Sequence, residues 1–241
     1  VGSPSLEGKK LTVKVLREFY GRLKGVEPPE LVEVYVFGSR SAMHSFLAFD
    51  AQGSGVIYPF DEAYMAMHEA WTGIPRIHVC TGDLEHAPRT VFEAAVRHEA
   101  AHSVLHGSPE YYILSVPKQL SDEFRRRGFL DEEVVHIAYL EASTLKDVEV
   151  TRLLAGMGYL TDQAAFIIHN LGEDEFNVSV WKLASINPKT AILYLAHLLK
   201  ALAASLPLKA YPTVYRKIDG TISKTVVHLP REALKALVSL E

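Results

Sequence analysis

The sequence has one cysteine, Cys80, so an internal disulfide is excluded and a reducing compartment is expected. It has no excess of positive charge. A net charge of −4 and a pI near 6.3 argue against a predominantly electrostatic nucleic-acid binder. The single basic run, Arg125-Arg126-Arg127, reads as a solvated helix end rather than a phosphate patch. No hydrophobic signal region follows the opening Val1-Gly2-Ser3-Pro4-Ser5. The most apolar stretch, Ala191 to Leu208, is interrupted by His197, Lys200 and Pro207, falls short of a comfortable bilayer span and is expected to be a buried helix. Internal repeats and low-complexity tracts are absent too. These absences point to a cytoplasmic globular protein with neither nucleic acid nor membrane as partner. A hydrophobic content of 48% is enough to build a well-buried core in one large domain or two lobes.

What is present is Arg97-His98-Glu99-Ala100-Ala101-His102, an H-E-x-x-H pattern. On a helix, positions four apart are neighbours, so His98 and His102 can offer two imidazoles to one metal ion. Glu99 then stands beside the metal, where a carboxylate can take a proton from a water. The surroundings favour a helix from about Val91 to His106. Thr90-Val91-Phe92-Glu93 has the form of a capping box, Pro88 precedes it and Gly107 follows it. On that helix Val91, Ala94, Ala95, His98, His102 and Leu105 share one face.

Zinc needs a third protein ligand and an open position. A second helix, from about Asp131 to Leu154 with an interruption near Ser143-Thr144, is expected to turn Val134, Ala138, Ala142, Leu145 and Leu153 inward. Glu149 projects into the middle of that face, where an unpaired carboxylate is costly and metal ligation would resolve the cost. Glu149 is therefore the third ligand chosen, with Glu141 on the flank of the stripe as runner-up and an ion pair with Arg152 as the structural alternative. Asp147 is assigned to the opposite, polar face, and His136 to a structural or surface role.

On these residues the chain resembles the zincin metallopeptidases, and among them the gluzincins, in which a glutamate on a later helix completes the site. The resemblance is carried by His98 to His102. Glu149 matches less closely, because Leu153 stands where gluzincins usually place an aspartate. HEAAHSVLHG is also similar to short intracellular gluzincin-like peptidases, a likeness that includes His106. The metzincin pattern is absent, having Leu105 and Ser108 in place of its glycine and third histidine. Peptide deformylases pair H-E-x-x-H with a cysteine ligand, but Cys80 lacks their surrounding motifs and reads as a small buried strand residue. The resemblance implies a Zn²⁺ cofactor, a sheet packed on the metal helix, and a peptide or protein substrate. The substrate would pair along the last strand before that helix, Arg76 to Cys80.

Along the chain, an amphipathic helix is expected over Leu6–Lys24 and a strand over Leu31–Phe37. Further strands are expected at Ser45–Asp50, Gly55–Tyr58 and Arg76–Cys80, with a helix at Asp61–Trp71. After Gly107 the chain turns helical. Starts are read near Thr161 and Asn187-Pro188, a stop at Gly172, and helices at Glu173–Ile186 and Thr190–Leu206. Asp219-Gly220 between Thr213–Ile218 and Thr221–His228 reads as a β-hairpin, with a last helix beginning near Pro230. The expected fold is thus α+β. A zincin-like lobe with a mixed sheet spans residues 1–108 and ends in the metal helix, and a mostly helical lobe with a C-terminal hairpin and helix spans 109–241.

The activity expected is peptide-bond hydrolysis, with Glu99 as general base and Tyr111, Tyr112, Tyr159 and His169 as candidates to stabilise the oxyanion. Two other readings use the same residues: a non-catalytic regulatory or binding protein on a zincin scaffold, and a small-amide hydrolase with a closed pocket. The apolar content of the helical lobe can pack internally or form a homo-oligomer interface.

Overall fold

A computed structural model describes residues 3–54, 64–172 and 174–238. The chain is α+β. Its elements in order are α1 Leu6–Arg22, β1 Glu33–Phe37, α2 Arg40–Gly53, β2 Ala66–Glu69, β3 Arg76–Cys80, α3 Arg89–Leu105, α4 Lys118–Arg126, α5 Asp131–Gly156, α6 Leu160–Asn170, α7 Asp174–Ala184, α8 Pro188–Ala203, α9 Pro212–Thr225 and α10 Arg231–Val238. Two compact units result. The first comprises residues 1–113 and regains the chain at Gly156–Phe166; the second comprises 114–155 and 167–241.

In the first unit, the described residues form one three-stranded mixed sheet of order β1-β3-β2. β3 runs parallel to β1 and antiparallel to β2, with Val34 opposite Ile77 and His68 opposite Ile77 from the other side. β3 is therefore the central strand, and all five of its residues are buried. This corrects the expectation that Arg76–Cys80 is an edge open to a peptide, since its backbone groups already pair on both sides. The described edges are β1 and β2.

Alternation along β3 gives the two sheet faces different neighbours. Cys80 joins a cluster with Met43, Leu47 and Ala51 of α2. His78 stacks on Tyr35 at 5.2 Å, with Phe46 also against it. Arg76 is bonded by Asp50 of α2 and by Glu69, which is fully buried on β2. Glu69 accepts from the Trp71 backbone N–H at 3.2 Å and lies 3.1 Å from His78 Nε2. The Asp50 carboxylate also accepts from the Trp71 indole at 3.0 Å. Arg76 holds the Asp50 carboxyl below its usual range; burial opposes this and is outweighed. α3 packs against β2 and β3, and α1 packs on α3.

Several expectations of secondary structure are overturned here. Ser45–Asp50 is helical, within α2, because Ser39 caps the amide of Ala42 and Met43, Leu47 and Ala51 recur at the helical period on the sheet side. Residues 66–69, expected within a helix, are strand β2. Ala, Met and Glu favour helix intrinsically, and pairing with β3 overrides that preference. The Gly55–Tyr58 strand and the start of the Asp61–Trp71 helix lie outside the described residues.

In the second unit, α5 is continuous over 26 residues. The Ser143 and Thr144 hydroxyls, expected to interrupt it, donate to the Leu140 carbonyl at 3.0 and 2.7 Å and leave it helical. Phe129, Val134 and Ile137 form a small core with Phe124 and Leu193. Arg125, Arg126 and Arg127 pair with Asp131 and Glu123 at exposed positions, as a solvated helix end would. Asn187 caps α8 through the Lys189 N–H, and Gly172 adopts φ 73° after α6. By length and composition, Pro188–Ala210 is the one segment among the described residues long and apolar enough to cross a membrane. Within α8 only Leu198, Leu202 and Ala203 are buried, so the helix is less enclosed than its composition suggests.

The expected C-terminal hairpin is absent from the structure: residues 212–225 form the single helix α9. The physical reason is periodicity. Ile218 and Thr225 are buried with Val214, Tyr215, Thr221 and Ile222 half-buried, a helical spacing that also fits the sequence, and Pro212 presets the first turn. Gly220 sits mid-helix with open space where a side chain would be.

Candidate metal centre

The centre is built on α3, which is buried on nearly every side. The helix begins at Arg89, one residue before the expected capping box. Pro88 stands at its N-cap, and Glu93 is taken by Arg89 and Arg97 rather than by a capping contact. Burial works against the ionised Glu93, but these two arginines prevail and keep its carboxyl below the usual range. Arg97 anchors the middle of α3: it donates to Asp162 at 2.5 Å and lies over the Tyr159 ring. Gln163 Nε2 donates to the Ala94 carbonyl at 3.2 Å, and Tyr20 on α1 pairs with Ser103 at 2.7 Å. At the far end Gly107 permits a tight exit. A Cβ there would lie 2.2 Å from the Ser103 carbonyl oxygen.

On this clamped helix His98 and His102 stand one turn apart, both buried, with ring centroids 4.9 Å apart. Each offers a ring nitrogen within 4.8 Å of the other's. The Phe166 ring packs on His98 at 5.3 Å. Glu99, between them in sequence, is half-buried. Two neutral imidazoles in a desolvated setting with a carboxylate beside them fit a borderline-soft divalent ion such as zinc.

Four ring-bearing side chains extend the cluster. His68 of β2 lies parallel to His102 at 6.1 Å, and its Nδ1 is 2.7 Å from the Tyr112 hydroxyl. His106 Nδ1 is 3.1 Å from His102 Nδ1, and Tyr111 packs edge-on against the His106 ring. His68 escaped the sequence reading because its segment looked helical. The signal that could have found it is its position opposite Ile77, which puts it on the sheet face toward α3.

The other candidates fall elsewhere. Tyr159 packs against Arg22 and Arg97, and His169 belongs to the second unit. His136 pairs with His197 at 3.1 Å between α5 and α8, and Cys80 lies on the α2 side of the sheet, where burial raises its thiol. On α5 the buried residues are Val134, Ile137, Leu140, Ser143, Val150, Thr151, Leu154 and Ala155. This is not the stripe expected, and Leu145, one of its expected members, is 68% exposed. Glu149 and Glu141 are exposed. Asp147 continues the observed stripe between Ser143 and Thr151; its side chain is 18% exposed, with Lys200 at 3.8 Å. No family model, curated protein or solved structure matches the chain.

Proposed function

We propose that the protein is a zinc-dependent peptidase of the zincin type. The observation that carries this reading is the pair of buried imidazoles one turn apart on α3, held by Arg97 and Gln163 contacts, with the half-buried Glu99 beside them. Zinc would be held by His98 and His102, with Glu99 left beside it. On α5 itself, the description that selected Glu149 from the sequence, a carboxylate set within a buried stripe, fits Asp147, whereas Glu149 is exposed. When bound, the ion lowers the pKa of a water to about 7 and polarises a carbonyl oxygen. Glu99 takes the proton of the attacking water and delivers it to the departing amine. Tyr112, whose hydroxyl is held by His68, is the donor assigned to the developing oxyanion. β2 is an edge strand among the described residues and carries His68, so an extended main chain pairing along it would pass this donor.

The test is zinc content of protein purified without added metal. The parent should carry about one zinc per chain, as a three-ligand catalytic site requires. His98→Ala/His102→Ala should lose it, and Asp147→Asn and Glu149→Gln are assayed beside it. Glu99→Gln should retain zinc yet lose roughly 10²–10⁴-fold in peptide hydrolysis. A parent that takes up no zinc even when it is supplied would overturn the reading, and zinc lost in only one of the two carboxylate variants would name that carboxylate as a ligand.

A further inference from the structure

We infer that His106 is a positioning residue for the metal centre, fixing His102 in the tautomer that presents Nε2 to the ion. The inference rests on the zinc reading and adds to it a residue outside the H-E-x-x-H pattern. His106 follows the last turn of α3, and its backbone N–H donates to the His102 carbonyl at 2.7 Å. Its ring is 1% exposed and is held edge-on by Tyr111, with centroids 5.0 Å apart. So constrained, its Nδ1 lies 3.1 Å from Nδ1 of His102.

Two neutral imidazoles in that arrangement form a hydrogen bond only if one carries its proton on Nδ1 and the other does not. Metal ligation decides the direction. A neutral imidazole has one N–H, and the nitrogen that ligates cannot be the one that carries it. Ligation through Nδ1 of His102 would take away the nitrogen that faces His106. With zinc on Nε2, the proton of His102 sits on Nδ1 and is donated to His106, which keeps its own proton on Nε2. A buried imidazole thus takes the place that a carboxylate or backbone carbonyl usually fills behind a ligating histidine. The three histidines 98, 102 and 106 form one column at four-residue spacing, the first two ligating and the third orienting the second.

Zinc affinity of metal-stripped parent, His106→Leu and His106→Asn, measured by competition with a chromophoric chelator, tests this. Asparagine keeps an acceptor near the position of Nδ1, whereas leucine fills the space without one. His106→Leu should bind zinc about 10–100-fold more weakly, and His106→Asn should stay near the parent. Melting temperatures of the metal-free proteins separate a folding defect from a loss of orientation. Nitrogen chemical shifts of the zinc-loaded parent supply a reading that needs no variant: His102 should be protonated at Nδ1 and His106 at Nε2. Protonation of His106 at Nδ1, or equal affinities of the leucine variant and the parent, would overturn the assignment while leaving the zinc reading intact. Absence of zinc from the parent would remove both.

Discussion

Replacing Arg76 by methionine should destabilise the first unit severely, and the loss should be partly recovered by removing Glu69. Arg76 is 7% exposed and bonds two carboxylates, Asp50 at 24% exposure and Glu69 at none. Without the guanidinium, the Glu69 carboxylate keeps only the His78 ring at 3.1 Å and the Trp71 amide at 3.2 Å. Removing one member of a buried pair costs about 3–5 kcal/mol, most of it the penalty of stranding the other charge. At about 2–4 °C per kcal/mol for a chain of this size, the melting temperature should fall by about 6–20 °C. Glu69→Gln in the same chain removes the stranded charge and should recover at least about 1 kcal/mol, an interaction energy typical of contacting residues. The assay is thermal unfolding followed by fluorescence in a Trp181→Phe background. Trp71, which donates to Asp50, is then the sole indole and reports the network directly. A fall of under about 3 °C for Arg76→Met, or a double variant less stable than the single one, would refute the reasoning, since neither fits a charge stranded in low dielectric.

Three further outcomes follow from single contacts. Gly220→Ala should stabilise the protein by about 0.5–1 kcal/mol, as it would in any exposed helix interior; a loss on denaturation would instead favour a turn at Asp219-Gly220. Gly107→Ala should cost about 1–3 kcal/mol because its Cβ meets the Ser103 carbonyl, a clash seen as a lower denaturation midpoint and absent if that midpoint is unchanged. The Asp50 carboxyl is held below its ordinary value of 3.8, chiefly by Arg76, so its contribution to stability is full above that pH and is lost as the pH falls through the lower folded value. Asp50→Asn should therefore be less stable than the parent at pH 7 and converge on it in acid, and denaturation midpoints that stay equally far apart from pH 7 to pH 2 would count against the Arg76 contact.

The centre of the candidate site was legible because it is local. His98, Glu99 and His102 belong to one helix, and the chemistry of the set depends on a four-residue spacing that any helix supplies. The helix start at Asn187-Pro188 and the stop at Gly172 were legible for the same reason: each is a side chain or backbone geometry acting within a turn. What escaped were decisions made by partners distant in sequence. Residues 66–69 carry no strand signal of their own, and they are a strand because β3 offers them a ladder. The same pairing buries Arg76–Cys80 in the middle of the sheet, which a hydrophobic strand reads equally well at centre or edge. Asp219-Gly220 is a turn signal by composition, and the helical spacing of the buried residues around it, Ile218 and Thr225, overrides that signal.

Helix α5 shows most clearly where inspection gives out. Val134, Ile137, Ala138, Leu140, Ala142, Leu145, Val148, Val150, Leu153 and Leu154 point to almost every side of it, so composition does not choose the inward face. A rotation of nearly half a turn separates the stripe inferred from the sequence from the one the fold buries, and it carries Leu145 out to 68% exposure. Asp147 and Glu149, two positions and about 200° apart, exchange roles under that rotation. The principle used to pick a ligand survives, because a carboxylate within a buried stripe still needs a cation. For Asp147 that cation is Lys200 of α8, at 3.8 Å. Which carboxylate lies in the buried stripe is thus decided by the phase of a helix. That phase is set by tertiary packing, which the sequence of α5 by itself does not record, whereas the spacing of His98 and His102 on α3 is written in four consecutive steps of chain.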